Sequence, residues 1–570
     1  MERRARPHLH GRHGRAGAGR TAGGARHHDQ HPAPAADPGR VVRAGHRLGH
    51  HPGHRVPPDR QARLPDGAHP PPLRADGLAR VHRDRSVLDP GRPGGGVGAG
   101  TVLRGLPGPR RHRVSAVVAE RILAGERVVV LGYGASGRAA VEASRKAGAD
   151  VWVSEAASMS PGSAEGVRVM DGGHRPEHLD GATRVVASPG IPESAPVLTW
   201  AIRRGIPVWS ELELGARLCG VPFVAVTGTN GKSTTVEMVA AAMREAGLSA
   251  RACGNVGYPF STAAREGFDA LSVEASSFQL RFVDEFRPRV SVLLNLAPDH
   301  MDWHGSIEAY GAAKARIFAR QADGDVHVGN RDDPHAAAIS SAAPCEVRWF
   351  RTGPPHPGEV GVAGGRVVAA FDGEAVDLGA PALTTAALLT DSAAAAAACL
   401  AFGLTPDAIR RALVAFEPGP HRGRIVAERD GVRFVDNSKA TNPHAALAAL
   451  EGVRDAVLIA GGLAKGVDLS PLASLAPSLV GVVAIGEAAD DVADAFAGLV
   501  PVRRAASMDD AVREAFDLAV PGGSVVLAPA CASQDMFRDY RDRGERFALA
   551  AASLGTPAPD DRPEPRRSDA

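Results

Sequence analysis

The stretch Val226-Thr227-Gly228-Thr229-Asn230-Gly231-Lys232-Ser233-Thr234 confines this chain to a small group of folds. It follows the apolar run Val221–Val226 and opens a helical pattern over Ser233–Ala246, the strand–loop–helix setting that a phosphate-binding loop needs. In such a loop the backbone amides wrap phosphate oxygens, the lysine reaches the β and γ oxygens, and the next hydroxyl faces Mg²⁺. Gly228, Thr229, Asn230, Gly231, Lys232, Ser233 and Thr234 are therefore the candidate nucleotide-binding residues. The loop departs from G-x-x-x-x-G-K-[ST], because Val226 stands six residues before Lys232 and Gly228 is the only loop glycine ahead of the Gly231-Lys232 pair.

The same strand–turn–helix rhythm starts two more times. Arg127–Leu131 reads as an apolar strand, Gly132–Gly137 as a turn, Arg138–Ala147 as a helix and Asp150–Ser154 as the next strand, with another at Thr183–Ser188. After Pro418-Gly419-Pro420, strands at Val432–Val435, Ala456–Ile459, Val482–Ile485 and Ser524–Leu527 alternate with helices. Between these, the pattern predicts strands at Ala270–Val273 and Val290–Leu294 and helices over Ile307–Ala319 and 391–402, with a Gly- and Pro-rich loop around 353–365. Such alternation predicts an α/β fold with parallel sheets. For 570 residues, three folded units are expected. They are drawn here at 116–217, 218–419 and 420–555, with a frayed tail at 556–570.

Residues 1–115 differ in kind. They are rich in Arg, His, Pro and Gly without sustained periodicity, and 13 of the 22 histidines lie there. Residues 1–113 hold 22 Arg, no Lys and 8 acidic residues, a charge of +14; the formal total of +2 leaves −12 for the remainder. The mean charge thus hides an acidic body, and nucleic-acid binding is not expected of it. The head is expected to be a disordered basic extension, or translated sequence ahead of the native start, because it cannot bury enough apolar area to offset its chain entropy. Five widely spaced cysteines without a C-x-x-C fit a reducing cytoplasm and argue against a disulfide framework. No apolar run is long enough for a membrane span, and no signal-peptide h-region is evident.

The first Gly-rich turn, Gly132-x-Gly134-x-x-Gly137, with Glu155 after the next strand, suits a nucleotide diphosphate at a helix N-terminus, or equally a tight turn with no ligand. With a phosphate loop downstream, a dehydrogenase is disfavoured. Downstream of that loop, Glu274 ends the strand ALSVE and His300 lies in NLAPDHMD, both where ligands gather in open α/β sheets. Carboxylate and imidazole there can hold Mg²⁺ between phosphates and a second substrate. Lys314, on a helix, reads as a solvated lysine. DNSKATN (436–442), GGLAK (461–465) and APACASQD (528–535) each follow an apolar strand. They suit recognition of a small anion such as an amino-acid carboxylate, or plain turn chemistry.

In this order, GTNGKST, EASSFQL, NLAPDHMDWHGS, AAKARIF, PHRGR, DNSKATN, GGLAKG and APACASQDMF resemble the Mur ligases, most of all those that add D-glutamate to UDP-N-acetylmuramoyl-L-alanine. The resemblance runs from about 125 to 552. It implies a Rossmann-like UDP-binding domain, a P-loop-type central ATPase domain and a Rossmann-like C-terminal domain that binds the amino acid. It also implies ATP and Mg²⁺ as cofactors, and a cytoplasmic monomer. By the same resemblance, Ser136, Glu155 and Asn255 would contact the UDP part of the substrate, and Ser276 and Gln279 the muramoyl-alanine. Arg422 would touch ATP phosphates, and Thr441, Lys465, Ser533 and Tyr540 would hold D-glutamate. Ser233 and Glu274 would serve one Mg²⁺, and His300 with a carboxylated Lys314 a second, so Lys232, His300 and Lys314 are the expected catalytic groups. Three positions depart from the family. Thr385–Asp391 lacks the His and Asn of the G-x-H-N-x-x-N helix start that contacts adenine, and Asn437 and Leu463 stand where Asp is usual. A non-catalytic nucleotide-binding regulator is the rival reading from another class.

Overall fold

The computed structural model describes residues 122–160, 166–255, 257–371 and 373–554. The expectations for 1–115 and 556–570 lie outside the described residues.

Three sheets follow one another along the chain. The first holds β1 (Arg127–Leu131), β2 (Asp150–Ser154), β3 (Arg168–Met170), β4 (Arg184–Ala187) and β5 (Val208–Ser210), all parallel, in the order β3-β2-β1-β4-β5. The order reverses at β1, whose C-terminal end carries the Gly132–Gly137 turn, so that turn sits at the crevice where open sheets take ligands. Gly132 has φ +82, and a Cβ on Gly137 would fall on the Gly132 carbonyl oxygen. The glycines thus let the helix Ala135–Lys146 start three residues earlier than its sequence pattern suggested.

The central sheet runs from β6 (Phe223–Thr227) through β7 (Ala250–Gly254), β8 (Ala270–Glu274), β9 (Val290–Leu293), β10 (Val326–Asn330) and β11 (Glu346–Phe350) to β12 (Glu359–Ala363), β13 (Arg366–Phe371) and β14 (Glu374–Gly379). Its order, β14-β13-β12-β11-β10-β9-β6-β8-β7, again switches direction at the strand that feeds the critical loop, β6. The β12–β14 meander is antiparallel and corrects the loop expected around 353–365. Gly364 and Gly365 (φ 58 and 72) make the two-residue turn, with positive φ at both positions, that hairpin twist favours. Val360, Val367 and Ala369 are buried beneath it.

Alternate residues of β6 face two different cores. Val224 and Val226 join the helices Lys232–Glu245 and Ala386–Phe402, while Phe223 and Ala225 join Leu271, Phe286 and Ile317. Coverage on both faces is what a parallel sheet requires. Six consecutive alanines, Ala393–Ala398, are buried in the helix Ala386–Phe402, which packs on the helix behind the phosphate loop.

The third sheet has β15 (Arg424–Arg429), β16 (Val432–Asp436), β17 (Ala456–Gly461), β18 (Leu479–Ile485), β19 (Val502–Ala505) and β20 (Ser524–Ala530), ordered β15-β16-β20-β17-β18-β19, with only β15 antiparallel. Because β20 inserts between β16 and β17, the three polar clusters predicted at their ends become immediate neighbours. Among the described residues no helix is long and apolar enough to cross a membrane.

Replacing Gly137 by Ala should force the turn open. The expected result is a loss of about 2 kcal/mol, typical of overpacking, read as a lower Tm. An unchanged Tm would mean that the turn yields freely.

Candidate active site

The loop after β6 is held in shape from several sides. Gly228 adopts φ +156, and a Cβ there would meet Leu294 Cβ at 2.8 Å. The Thr229 and Asn230 amides donate to Asn295 Oδ1 at 3.0 and 2.8 Å, and Thr229 Oγ1 donates to the Ala297 carbonyl at 3.1 Å. Gly231, in the left-handed region at φ 83, caps the helix that begins at Lys232. Asn295 was not singled out from the sequence; its role depends on β9 lying beside β6.

Two lysines converge on one oxygen. Lys232 Nζ donates to the Gly228 and Thr229 carbonyls at 2.9 and 2.7 Å, and Lys314 Nζ donates to the same Gly228 carbonyl at 2.7 Å. Lys314 is 1% exposed, which corrects its reading as a solvated helix lysine. Burial, then the Lys232 charge, pushes the Lys314 amine well below the usual lysine range, against the pull of Asp299 and Glu274. Its Nζ also lies 4.3 Å from the centre of the Tyr310 ring. Burial lowers Lys232 as well, but Glu274 and Asp299 favour its charge.

Glu274, at the end of β8, accepts from Ser233 Oγ at 2.6 Å and from Asn255 Nδ2 at 3.2 Å. His300 sits at φ 56. Burial holds its imidazole down to about 4, Asp299 opposes this, and Lys465, Lys232 and Lys314 reinforce it. The ring is therefore neutral at pH 7. Ser276 and Gln279 bond to each other in a capping box at the start of the short helix Ser277–Leu280, and Gln279 Nε2 is buried without a partner.

In the first sheet, Glu155 takes the Tyr133 amide at 2.6 Å and the Ala156 amide at 2.7 Å. Burial by itself would raise this carboxyl, but bonds from the Tyr133, Ala157 and Ala156 amides outweigh it and hold it below its usual value. Glu155 thereby ties the Gly-rich turn to the end of β2. Ser136 is half-buried at the start of the following helix.

The third unit reaches the phosphate loop directly. Asn442 Nδ2 donates to Asn230 Oδ1 at 3.0 Å and to Asp299 Oδ2 at 3.1 Å, and Lys439 Nζ donates to Ser233 Oγ at 3.2 Å. Lys439 also lies 4.8 Å from the centre of the Tyr540 ring, and Ser438 Oγ donates to the Tyr540 carbonyl at 2.7 Å. Thr441 follows within the same loop, its amide bonded to the Lys439 carbonyl. Lys465 is left-handed at φ 54, Ser533 is buried, and Leu463 and Ala532 exchange backbone bonds at 3.0 Å. Arg422 pairs with Glu237 of the helix behind the loop at 3.3 Å. Lys439, Asn442 and Asp299 were seen in the sequence only as parts of motifs, without roles.

Asp391, at the departure from the family's helix start, packs its carboxyl against Gly231, where a Cβ on that glycine would stand. Burial pushes this carboxyl up to about 7, against the Arg422 and Lys232 charges.

Three family models match the chain: the N-terminal domain of MurD-like Mur ligases over 126–210, the Mur ligase middle domain over 226–356, and the glutamate ligase domain of Mur ligases over 421–531. The UDP-N-acetylmuramoylalanine–D-glutamate ligase of Frankia casuarinae is 45% identical over 445 residues, which cover 75% of this chain and 94% of that protein. The enzyme of the same name from Streptomyces coelicolor is 39% identical over 473 residues, covering 76% and 98%. Among solved structures, a pseudomurein peptide ligase type C from Methanothermus fervidus superposes with a TM-score of 0.50 at 18% identity, covering 75% of this chain and 99% of that one; at that identity it speaks for the fold alone.

Asp391 gives a pH-dependent expectation. Its folded value of about 7 lies above the ordinary 3.8, so between the two the folded chain holds a proton that the unfolded chain has released. The stability this carboxyl leaves to the fold is full below pH 4 and is lost as pH rises through 7. Asp391→Asn should therefore exceed the parent in Tm by a margin that opens between pH 4 and 7 and stays constant above. The margin should be a few degrees, at about 2–4 °C per kcal/mol. Thermal melts across that range check it; a pH-independent margin would mean that Asp391 stays charged.

Proposed function

The chain belongs to the Mur ligase family, and from that membership we propose that it joins D-glutamate to UDP-N-acetylmuramoyl-L-alanine, driven by ATP, in cytoplasmic synthesis of a peptidoglycan precursor. The observation that carries this reading is the contact between the phosphate loop and the loop after β16, through Asn230–Asn442 and Lys439–Ser233. A loop suited to ATP and loops suited to an amino-acid anion share one hydrogen-bonded surface, as a transfer between their ligands requires. We place the UDP-binding domain at 116–217, the ATP-binding domain at 218–419 and the amino-acid-binding domain at 420–555, working as a monomer.

In the reaction, a carboxylate oxygen of the alanyl substrate attacks the γ-phosphorus of ATP and ADP departs, which leaves an acyl-phosphate. The D-glutamate amine then adds to the acyl carbon, and the tetrahedral intermediate expels phosphate as the amine loses its proton. Lys232 offsets charge on the transferring phosphoryl group, together with the amides of Gly228 to Thr234, while Arg422 reaches the ATP phosphates. Glu155, Ser136 and Asn255 serve the UDP part of the substrate, and Ser276 and Gln279 the muramoyl-alanine, where the unpartnered Gln279 amide nitrogen offers a donor. Thr441, Lys465, Ser533 and Tyr540 hold the incoming amino acid. Enclosure between the units keeps water from the acyl-phosphate.

The residues also suit Mg²⁺. Ser233 Oγ and Glu274 Oε2 stand 2.6 Å apart beside the loop, a hard-oxygen pair of the kind Mg²⁺ takes. The buried Lys314 amine, pushed well below the usual lysine range, can in its unprotonated form add to the carbon of CO₂ and lose a proton to give a carbamate anion, which with the neutral His300 would hold a second ion. When bound, the metal supplies positive charge to the phosphate oxygens.

Phosphate release by the purified chain with Mg-ATP tests the reading. It should need both UDP-N-acetylmuramoyl-L-alanine and D-glutamate, and L-glutamate should not substitute. Release with another amino acid would keep the chemistry and change the substrate, and no release from folded protein would favour the non-catalytic regulator. Lys232→Ala should lower turnover by at least about a hundredfold. Lys314→Ala should be similarly inactive and partly recovered by added acetate, which stands in for the carbamate; no recovery would count against the carbamate.

A further inference from the structure

Arg543, on the helix Tyr540–Ser553, is the largest fully buried side chain among the described residues, at 0% exposure. Neither the sequence motifs nor the mechanism above uses it. Its guanidinium donates from Nε to Ser438 Oγ at 3.0 Å, from Nη2 to the Ser438 carbonyl at 2.8 Å, and from Nη1 to the Cys531 and Ala532 carbonyls at 3.1 and 3.2 Å. Ser438 belongs to the loop after β16, and Cys531 and Ala532 to the loop after β20. Ala532 is in turn bridged to Leu463 of the loop after β17. One planar fork therefore joins two of the three clusters and, through Ala532, sets the third. A Cβ on Gly462 would come within 3.3 Å of Arg543 Nη1, so the glycine pair of the GGLAKG cluster is part of the same fit.

All four bonds end on carbonyl or hydroxyl oxygens and none on a carboxylate. A desolvated guanidinium is costly unless something else compensates it. Burial lowers it to about 10, with Cys531, Asp535 and Asp436 opposing, so the cation persists at neutral pH.

We propose that Arg543 is a positioning residue of the amino-acid site: it fixes the loops after β16 and β20 at one separation, so that Thr441 and Ser533 meet the amino acid together, and it places a buried positive charge behind a doubly anionic substrate. This rests on the D-glutamate reading above. Lysine keeps the charge but cannot reproduce the fork, so Arg543→Lys isolates the positioning role.

The test is steady-state kinetics of the full chain and its R543K and S438A variants, varying each substrate in turn, with thermal melts alongside. Arg543→Lys should raise KM for D-glutamate by about tenfold or more, the effect of losing one to two charge-assisted bonds, with KM for ATP and for the UDP-linked substrate within about twofold. Ser438→Ala, which removes only the Nε acceptor, should move the same constant in the same direction by less, and it keeps the test available if R543K does not fold. An unchanged KM for D-glutamate in both variants, or a fall in kcat with all three KM values shifted equally, would overturn the proposal. Parent protein that turns over ATP without needing D-glutamate would instead sink the functional reading on which it rests.

Discussion

The carbonyl oxygen of Gly228 receives hydrogen bonds from two lysine side chains, Lys232 and Lys314, and much of the site follows from that crowding. Two ammonium groups on one acceptor repel. Burial pushes both amines down, Lys314 the further, and Glu274 and Asp299 pull against that shift at each. The oxygen can serve both only because Gly228 takes a backbone conformation closed to other residues here, with Leu294 directly behind it. The phosphate loop is thus defined by its strand and helix and equally by a helix lysine far along the chain and by Asn295 from the adjoining strand end.

Sheet topology explains why the remaining groups arrive where they do. In the first and central sheets the strand order reverses at β1 and β6, and each reversal opens a crevice at the C-terminal strand ends. The third sheet gathers its polar loops differently, by inserting β20 between β16 and β17. Since Asn442 bonds both Asn230 and Asp299, the phosphate loop and the loop after β16 are one connected set of hydrogen bonds.

What was legible in the sequence was what backbone geometry dictates locally. The glycines of the two Gly-rich turns, and the apolar runs before them, could be placed to within a few residues because Gly132, Gly137, Gly228 and Gly231 stand where a side chain would strain the backbone or clash, and buried strands must be apolar. The β12–β14 meander was missed although its Gly364-Gly365 turn is a hairpin signal; the prolines before it suggested a loop. Lys314 was misread for a different reason. Its helix says nothing of burial, and its partner Gly228 lies 86 residues away. Asn295, Asp391, Lys439 and Arg543 act through apposition of distant segments, for which a single sequence holds no local sign.

Burial alone does not mark the functional groups, and His327 shows why. Its imidazole is more depressed than that of His300, down to about 3, yet Ser291 and Ser340 occupy its two ring nitrogens. A group so satisfied has no capacity left for a ligand. Lys314, also buried, and the half-buried His300 and Asp391 lack that closure. Lys314 has one carbonyl and a ring face, His300 a carboxylate 3.7 Å away, and Asp391 a packing contact where hydrogen bonds would be expected. Each is desolvated beyond what its protein partners repay, and all three surround the same loop. Unspent bonding capacity at adjacent buried and half-buried groups, rather than displaced protonation, is what separates a site from a core.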